Sequence, residues 1–461
     1  MNERKNVYQL PLGDTTLEWY SKAVVEMKKR ATTDPTSWNY QAAMHGFNLT
    51  LPYWKNIGPV PGPSEQKGFW NQCQHGSWFF LPWHRMYLAY FEQIVAQTIV
   101  GLGGPQGWTL PFWDYSDATN PIALDIPTSF TNPAATTNGL WMKGRVSNIL
   151  IKRNVALTPL KNPVYTGNGI TSRLGFGGPE TTFSHSGGTH GDLEGHIHDS
   201  VHVMIGGAMG DPRTAGLDPI FWLHHANIDR LWQVWLNQGN RANPTQSSWT
   251  DFTFAFHDKN GNSAEMKVGD VVDTRNVLTG YTYQGVRPAL PTLQSVNLMK
   301  NVDFSLPLEV TAATNKHVAL SSAKTLVQLA LSPSKAKMVS FAATKTMVNI
   351  PKTTILHFEN ITGKGVPPIH DVYLNPPKDG QNKEAYYAGS LSFFGVEEAS
   401  KPSFHNSGSG QHYALDITDL MNLLRSLPGW DDQKLDISIE ATRNMGENTT
   451  VTIGRISLYS E

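Results

Sequence analysis

The 461-residue chain has a single cysteine, Cys73, which excludes an internal disulfide framework and is compatible with a reducing compartment. It has no excess of either charge: 37 basic and 38 acidic residues leave a formal net charge of −1. Nothing electrostatic therefore points to nucleic acid or an anionic membrane as partner, and a small uncharged substrate fits better. The apolar runs stop well short of the ~20 residues that span a bilayer, and Met1 to Leu12 lacks the apolar core of a signal peptide. A cytoplasmic location is the expectation, with export in company of a partner protein left open. There is no internal repeat and no low-complexity tract. At this length two domains are expected rather than one.

What is present is histidine, grouped. The segment Cys73-Gln-His75-Gly-Ser-Trp-Phe-Phe-Leu-Pro-Trp-His84-Arg places two imidazoles and a thiol in an aromatic stretch. From Pro82 onward Trp83, Tyr87, Leu88, Phe91, Ile94 and Val95 recur at helical spacing, so His84 lies in the first turn of a buried helix and His75 on the irregular segment before it. His45 lies on a helix expected from Ser37 to Phe47, capped by Thr36-Ser37. A second group follows: His198 and His202 are four apart on one helical face, and Gly206-Gly207 marks where that helix ends. Asp218-Pro219 opens a further helix that carries the adjacent pair His224-His225. Helical spacing does not choose between those two. Three imidazoles in each of two groups, without a bridging carboxylate, suit copper better than an oxygen-rich zinc or magnesium pair.

These residues resemble the tyrosinase and polyphenol oxidase family, the type 3 dicopper proteins. The resemblance rests on His75 through Leu-Pro-Trp-His84-Arg to Glu92, and on Asp218, Pro219, Phe221, His225 and Asp229. It covers residues 35 to 290 best. It implies copper A on His45, His75 and His84, and copper B on His198, His202 and His225, with His224 left to packing. It also implies O2 as co-substrate and phenolic substrates such as tyrosine, DOPA and catechols. The activity so implied is tyrosinase activity: ortho-hydroxylation of monophenols, and oxidation of o-diphenols to o-quinones. A catechol oxidase without useful hydroxylation is the alternative, and a hemocyanin-like O2-binding protein a more distant one. The fold so implied is a mainly α catalytic domain, a four-helix-bundle dicopper core with long loops, followed by a β-sandwich.

Glu194, four residues before His198, is the resemblance's candidate for the base that removes the phenol proton. As a residue it also reads as a first-turn glutamate favoured by the helix dipole. Asp199 stands where many active relatives carry Asn beside a water, and its charge is expected to raise the pKa of Glu194. Cys73-x-His75 resembles the pair that forms a thioether in some relatives. Asp229 and Glu92 are read either as acceptors for ligand ring N–H groups or as ion-pair partners of Arg230 and Arg85. Phe221 is expected to stack near the copper B ligands, and Val203 to line the entrance.

Leu110 to Tyr115 resembles a segment packed beside the site, or is a core strand. Residues 117 to 190 read as long surface connections, and the family pattern assigns no metal to His185, His190 or His196. Tyr281-Thr-Tyr283 resembles the close of the catalytic domain, placed at residues 1–295, with Arg287 to Gln294 as linker. Beyond it, residues 296–461 alternate as β-strands, among them Thr325 to Leu331, Met347 to Ile350 and Thr450 to Leu458. In relatives this second domain caps the site and keeps the enzyme latent. Phe393 and Phe394, in an expected hairpin before Gly395, are the candidate plug, or else sandwich-core aromatics. Oligomeric state is not legible.

Overall fold

The helices that frame the first part of the chain are α1 (Thr16–Lys29), α2 (Trp38–His45), α3 (Phe80–Gly101), α4 (Asp199–Ile205) and α5 (Ile220–Leu236). The computed structural model describes residues 2–132, 137–167, 174–286, 308–331, 353–402 and 407–460. The expected strand 347–350, the linker 287–294 and the junction at 295/296 lie outside the described residues. Local chemistry accounts for the helix ends. Ser37 Oγ accepts from Tyr40 N–H at the start of α2, and Asp218 Oδ1 accepts from Ile220 N–H at 3.1 Å ahead of α5. Gly206, at φ +63°, takes the left-handed turn that stops α4.

α3 is apolar nearly all round, as a helix surrounded by others must be. Its partner α5 packs Trp222 against Phe91 and Tyr87. α4 departs from the simple helix expected: it is entered through a π-helical turn, Leu193–His198, closed by Asp199 N–H to Glu194 C=O. Such wide turns recur at functional sites. The described residues between 117 and 190 contain short helical turns, among them Lys152–Val155 and Thr158–Lys161, joined by irregular chain.

The two ends of this helical part are tied together. Strand β1 (Asn2–Arg4) runs parallel to β4 (Tyr281–Tyr283), with the hairpin β2 (Thr253–His257) and β3 (Ser263–Lys267) between them in sequence. Arg4, fully buried, places its guanidinium over the Tyr281 ring and pairs with Glu92.

The carboxy-terminal part is two antiparallel sheets around a second apolar core. One consists of β7 (Lys324–Ala330), β9 (His370–Leu374), β10 (Tyr387–Leu391) and β12 (Lys434–Ala441), in the order 10-9-12-7. The other consists of β5 (Glu309–Ala313), β8 (Thr354–Lys364), β11 (Gln411–Asp416) and β13 (Thr450–Ser460), in the order 11-8-13-5, with β6 (Val318–Ala319) on β13. Alternate residues such as Leu435, Ile437 and Ile439 point to the shared core, the period of 2 expected of a half-buried strand. A helical core with long loops and a carboxy-terminal β-domain is the architecture expected. Among the described residues no helix is long and apolar enough to cross a membrane.

Candidate metal centre

Seven buried imidazoles meet between the helices: His45 from α2, His75 from the loop before α3, His84 from α3, His198 and His202 at α4, and His224 and His225 from α5. The rings of His45, His75 and His84 lie 5.2 to 5.6 Å apart. Those of His198, His202 and His225 lie 4.4 to 5.5 Å apart. The two trios abut where His84 stacks on His225 at 4.4 Å.

Potential ligand atoms also group across the trios, His45 and His84 with His225. His224 joins His198, His202 and His225 in a group of four, so geometry brings in the neighbour that helical spacing could not separate from His225. His224 differs in that its Nδ1 faces Tyr115 Oη at 3.2 Å, which makes Leu110 to Tyr115 a segment packed beside the site.

Four of the rings are oriented from behind. Nδ1 of His45, His84 and His202 donates to the carbonyls of Pro212, Phe80 and Met209 at 2.9, 2.8 and 2.7 Å, and Nδ1 of His198 donates to Asp199 Oδ1 at 2.8 Å. The Pro212 contact requires Gly46, because a Cβ there would lie 2.3 Å from the Pro212 oxygen. With Nδ1 protonated, the Nε2 lone pairs point inward. Nε2 of His45, His75, His84 and His198 has no hydrogen-bond partner among the described residues. Nε2 of His202 and of His225 converge to 3.3 Å, a separation suited to two donors on one ion.

Burial, then mutual repulsion, holds His75, His84, His198, His202 and His225 well below the usual histidine pKa, and burial pushes His45 down to about 3. Neutral, pre-aimed, unpartnered imidazoles in a dry core are an unstable arrangement for hydrogen bonding and a suitable one for copper.

Cys73 is buried beside these rings, its Sγ 3.4 Å from His75 Nδ1 and 3.3 Å from His185 Nδ1. Glu194 lies inside the π-turn and accepts from Gly76 N–H at 3.0 Å. Burial first, then the charge of Asp199, pushes its pKa up to about 8, against the pull of His190. Asp199 is fully buried and accepts from His198, from His190 Nδ1 at 2.7 Å and from Tyr413 Oη at 3.3 Å. Neither His190 nor Tyr413 was singled out as functional in the sequence. Tyr413 is 214 residues from Asp199, and His190 ends an irregular stretch without periodicity; its nearness to Glu194 was the only signal available.

Phe221 packs on His225 at 4.1 Å and on His45 at 4.9 Å. Asp229 and Glu92 do not take ring N–H groups. Asp229 holds Arg85 at 2.5 Å together with the hydroxyls of Tyr281 and Tyr283, Glu92 holds Arg4 and Leu110 N–H, and Arg230 pairs with Asp114. Two buried guanidiniums demand the carboxylates more strongly than neutral imidazoles do.

The β-domain closes over the centre. Between β10 and a one-turn helix, Val396–Ala399, the chain makes a left-handed turn rather than the expected hairpin, with Phe393 at φ +56° and Gly395 at φ +74°. The turn separates the two phenylalanines: Phe393 joins the sandwich core, and Phe394 enters the helical core and stacks on His202 at 4.2 Å and 19°. Around the rim Ser392 meets Ser200, Arg443 donates to the Val203 carbonyl, and His412 N–H donates to Gly188. Val203 is thereby buried.

Among known proteins the chain is 42% identical to Tyrosinase HcTyr1 of Hahella sp. (strain CCB-MM4), across the full length of both. The chain belongs to the tyrosinase and polyphenol oxidase family. The family's common central domain matches residues 35–188 and 152–238, the polyphenol oxidase middle domain matches 243–295, and a domain of unknown function matches 307–461. A chloroplastic polyphenol oxidase of Malus domestica is 29% identical over 67% of this chain and 52% of its own. The fold is that of latent apple tyrosinase, with a TM-score of 0.60 at 22% identity over 100% of this chain and 97% of that one. Latent aurone synthase gives 0.62 at 18% identity, over 100% and 89%. Tyrosinases are dicopper oxidases of phenolic substrates, and the histidine clusters here fit copper.

Proposed function

We propose that this tyrosinase-family chain hydroxylates monophenols and oxidises the resulting o-diphenols to o-quinones, and that it is held latent by its β-domain. Copper A would be held by His45, His75 and His84, and copper B by His198, His202 and His225. When bound, the two coppers supply the two-electron chemistry toward O2 that no side chain can. The protein orients the rings through Nδ1, excludes water with Phe221 and the aromatic walls, and places a carboxylate where a phenol would shed its proton. A phenol of pKa ~10 is a poor ligand until deprotonated, which is the task assigned to Glu194 with Asp199.

The observation that carries the reading is Glu194, buried beside the histidines with its pKa raised to about 8, within the range of a base working near neutrality. Oxygen uptake with tyrosine and with a catechol tests it, and Glu194→Gln should abolish the first far more than the second. Catechol oxidation alone is the competing reading, favoured by the charge that Asp199 adds where an amide would add none. Cys73 would be joined to His75 by a thioether, its S–H and a ring C–H replaced by an S–C bond with O2 taking up the two hydrogens, detectable as a mass deficit of about 2 Da in the peptide carrying both. Phe394 fills the volume over His202 that a substrate ring would need, and removing the β-domain should expose it. Val203 would line the opened entrance.

A further inference from the structure

His190 is buried and each ring nitrogen faces oxygen acceptors. Nδ1 lies 2.7 Å from Asp199 Oδ2, and Nε2 lies 3.2 Å from the Gly187 carbonyl and 3.9 Å from Glu194 Oε1. The Gly187 carbonyl has no hydrogen to offer, so Nε2 donates to it, and Nδ1 donates to Asp199, the carboxylate that also accepts from His198. The ring is thus an imidazolium set between the two carboxylates nearest the histidine cluster.

A second observation gives this arrangement a purpose. His45, His84 and His202 rest their Nδ1 on neutral carbonyls, whereas the Nδ1 of His198 rests on the carboxylate of Asp199. Asp199 therefore brings a charge into the site, and its side chain is fixed by His198 on one oxygen and by His190 and Tyr413 on the other. Tyr413 belongs to the β-domain, and its hydroxyl also accepts from Phe393 N–H at 3.1 Å. If the cap leaves, that donor leaves with it, and His190 remains the grip supplied from outside the histidine cluster.

We propose that His190 is a positioning residue for hydroxylation: it clamps Asp199 and offsets its charge, so that the Asp199–His190 pair serves where a neutral amide at position 199 would serve alone. This rests on the reading of Glu194 as the base. A double-mutant cycle tests it in the copper-loaded full-length protein, with copper content and thermal unfolding recorded for every variant. The readout is kcat and KM for a monophenol against those for its catechol.

His190→Gln should lower the monophenol-to-catechol kcat ratio tenfold or more. In an Asp199→Asn background the same change should alter that ratio by less than about twofold. Equal losses in the two backgrounds, or equal losses on both substrates, would overturn the proposal and leave His190 as scaffold. If His190→Gln alone does not fold, the double variant carries the test, behaving as Asp199→Asn does if the histidine serves the aspartate and failing too if it does not. Failure of the base reading is separately visible, as undiminished hydroxylation in Glu194→Gln.

Discussion

Replacing Phe394 by alanine should awaken the intact chain. The ring stacks on His202 at 4.2 Å and makes edge contacts with His75 and His198 at 5.8 and 5.6 Å, so in the docked state it is enclosed by the histidine cluster. Taking it out of water contributes about 1.5–3 kcal/mol, and an aromatic pair adds about 0.5–1.5 kcal/mol. Losing about 2–4.5 kcal/mol of docking energy raises the open population roughly 30- to 1,600-fold while that population is small, since each 1.4 kcal/mol is a factor of ten. Catechol oxidation followed by oxygen uptake, normalised to copper per chain, should rise by up to that factor and approach the rate of protein cut near residue 300. Phe393→Ala is the contrast, because that side chain belongs to the sandwich core and its loss destabilises the domain itself. The reasoning is refuted if the cut protein accelerates while Phe394→Ala stays at the parental rate, or if neither change alters turnover.

Glu194→Gln should cost hydroxylation about 10²–10⁴-fold, with catechol oxidation changed far less. Because a base must be ionised, hydroxylation in the parent should climb with pH up to about 8 and lose that limb in the variant. A pH-independent rate would contradict the assignment. Asp229→Ala strands the buried Arg85 and two tyrosine hydroxyls and leaves Arg4 with Glu92 alone, and should cost about 3–5 kcal/mol by denaturant unfolding; a loss under ~1 kcal/mol would show that the network is not what ties strand β1 to the core.

Acid should undock the cap. Glu397 faces Arg213 across the interface, and although its burial opposes charge, Lys401, the Gly365 N–H and Arg213 together hold it below the usual glutamate range. Lys401 and Gly365 belong to the β-domain with Glu397, so only the Arg213 share of this depression stabilises docking; it is present above the ordinary glutamate pKa, ~4.3, and is lost as pH falls through the lower docked value. The full-length rate relative to cut protein at the same pH should therefore rise below about pH 4, and less so in Glu397→Gln. A constant ratio would contradict this.

The helices that bear His84 and His225 were legible because apolar spacing and capping residues are local properties, and each of the two long motifs is contiguous in sequence. The same holds for strands such as β7 and β13, where alternation is strong. What was not legible depends on chain returning from a distance. Asp229 could be assigned to a ligand histidine or to a neighbouring arginine, and only the tertiary structure brings Arg85 and the paired tyrosines onto it. His190 carries no periodic signal, and its role comes from a loop folding over α4. The separation of Phe393 from Phe394 rests on one left-handed residue, which no pattern of neighbouring types announced.

Copper analysis of the purified, metal-replete protein, alone and with His84→Ala and His202→Ala, tests the central claim most directly. Two coppers per chain, with each substitution lowering that number and abolishing oxygen uptake with catechol, is the predicted result. One copper per chain in the parent protein, or two with no oxygen uptake on any phenol even after the β-domain is removed, would contradict it.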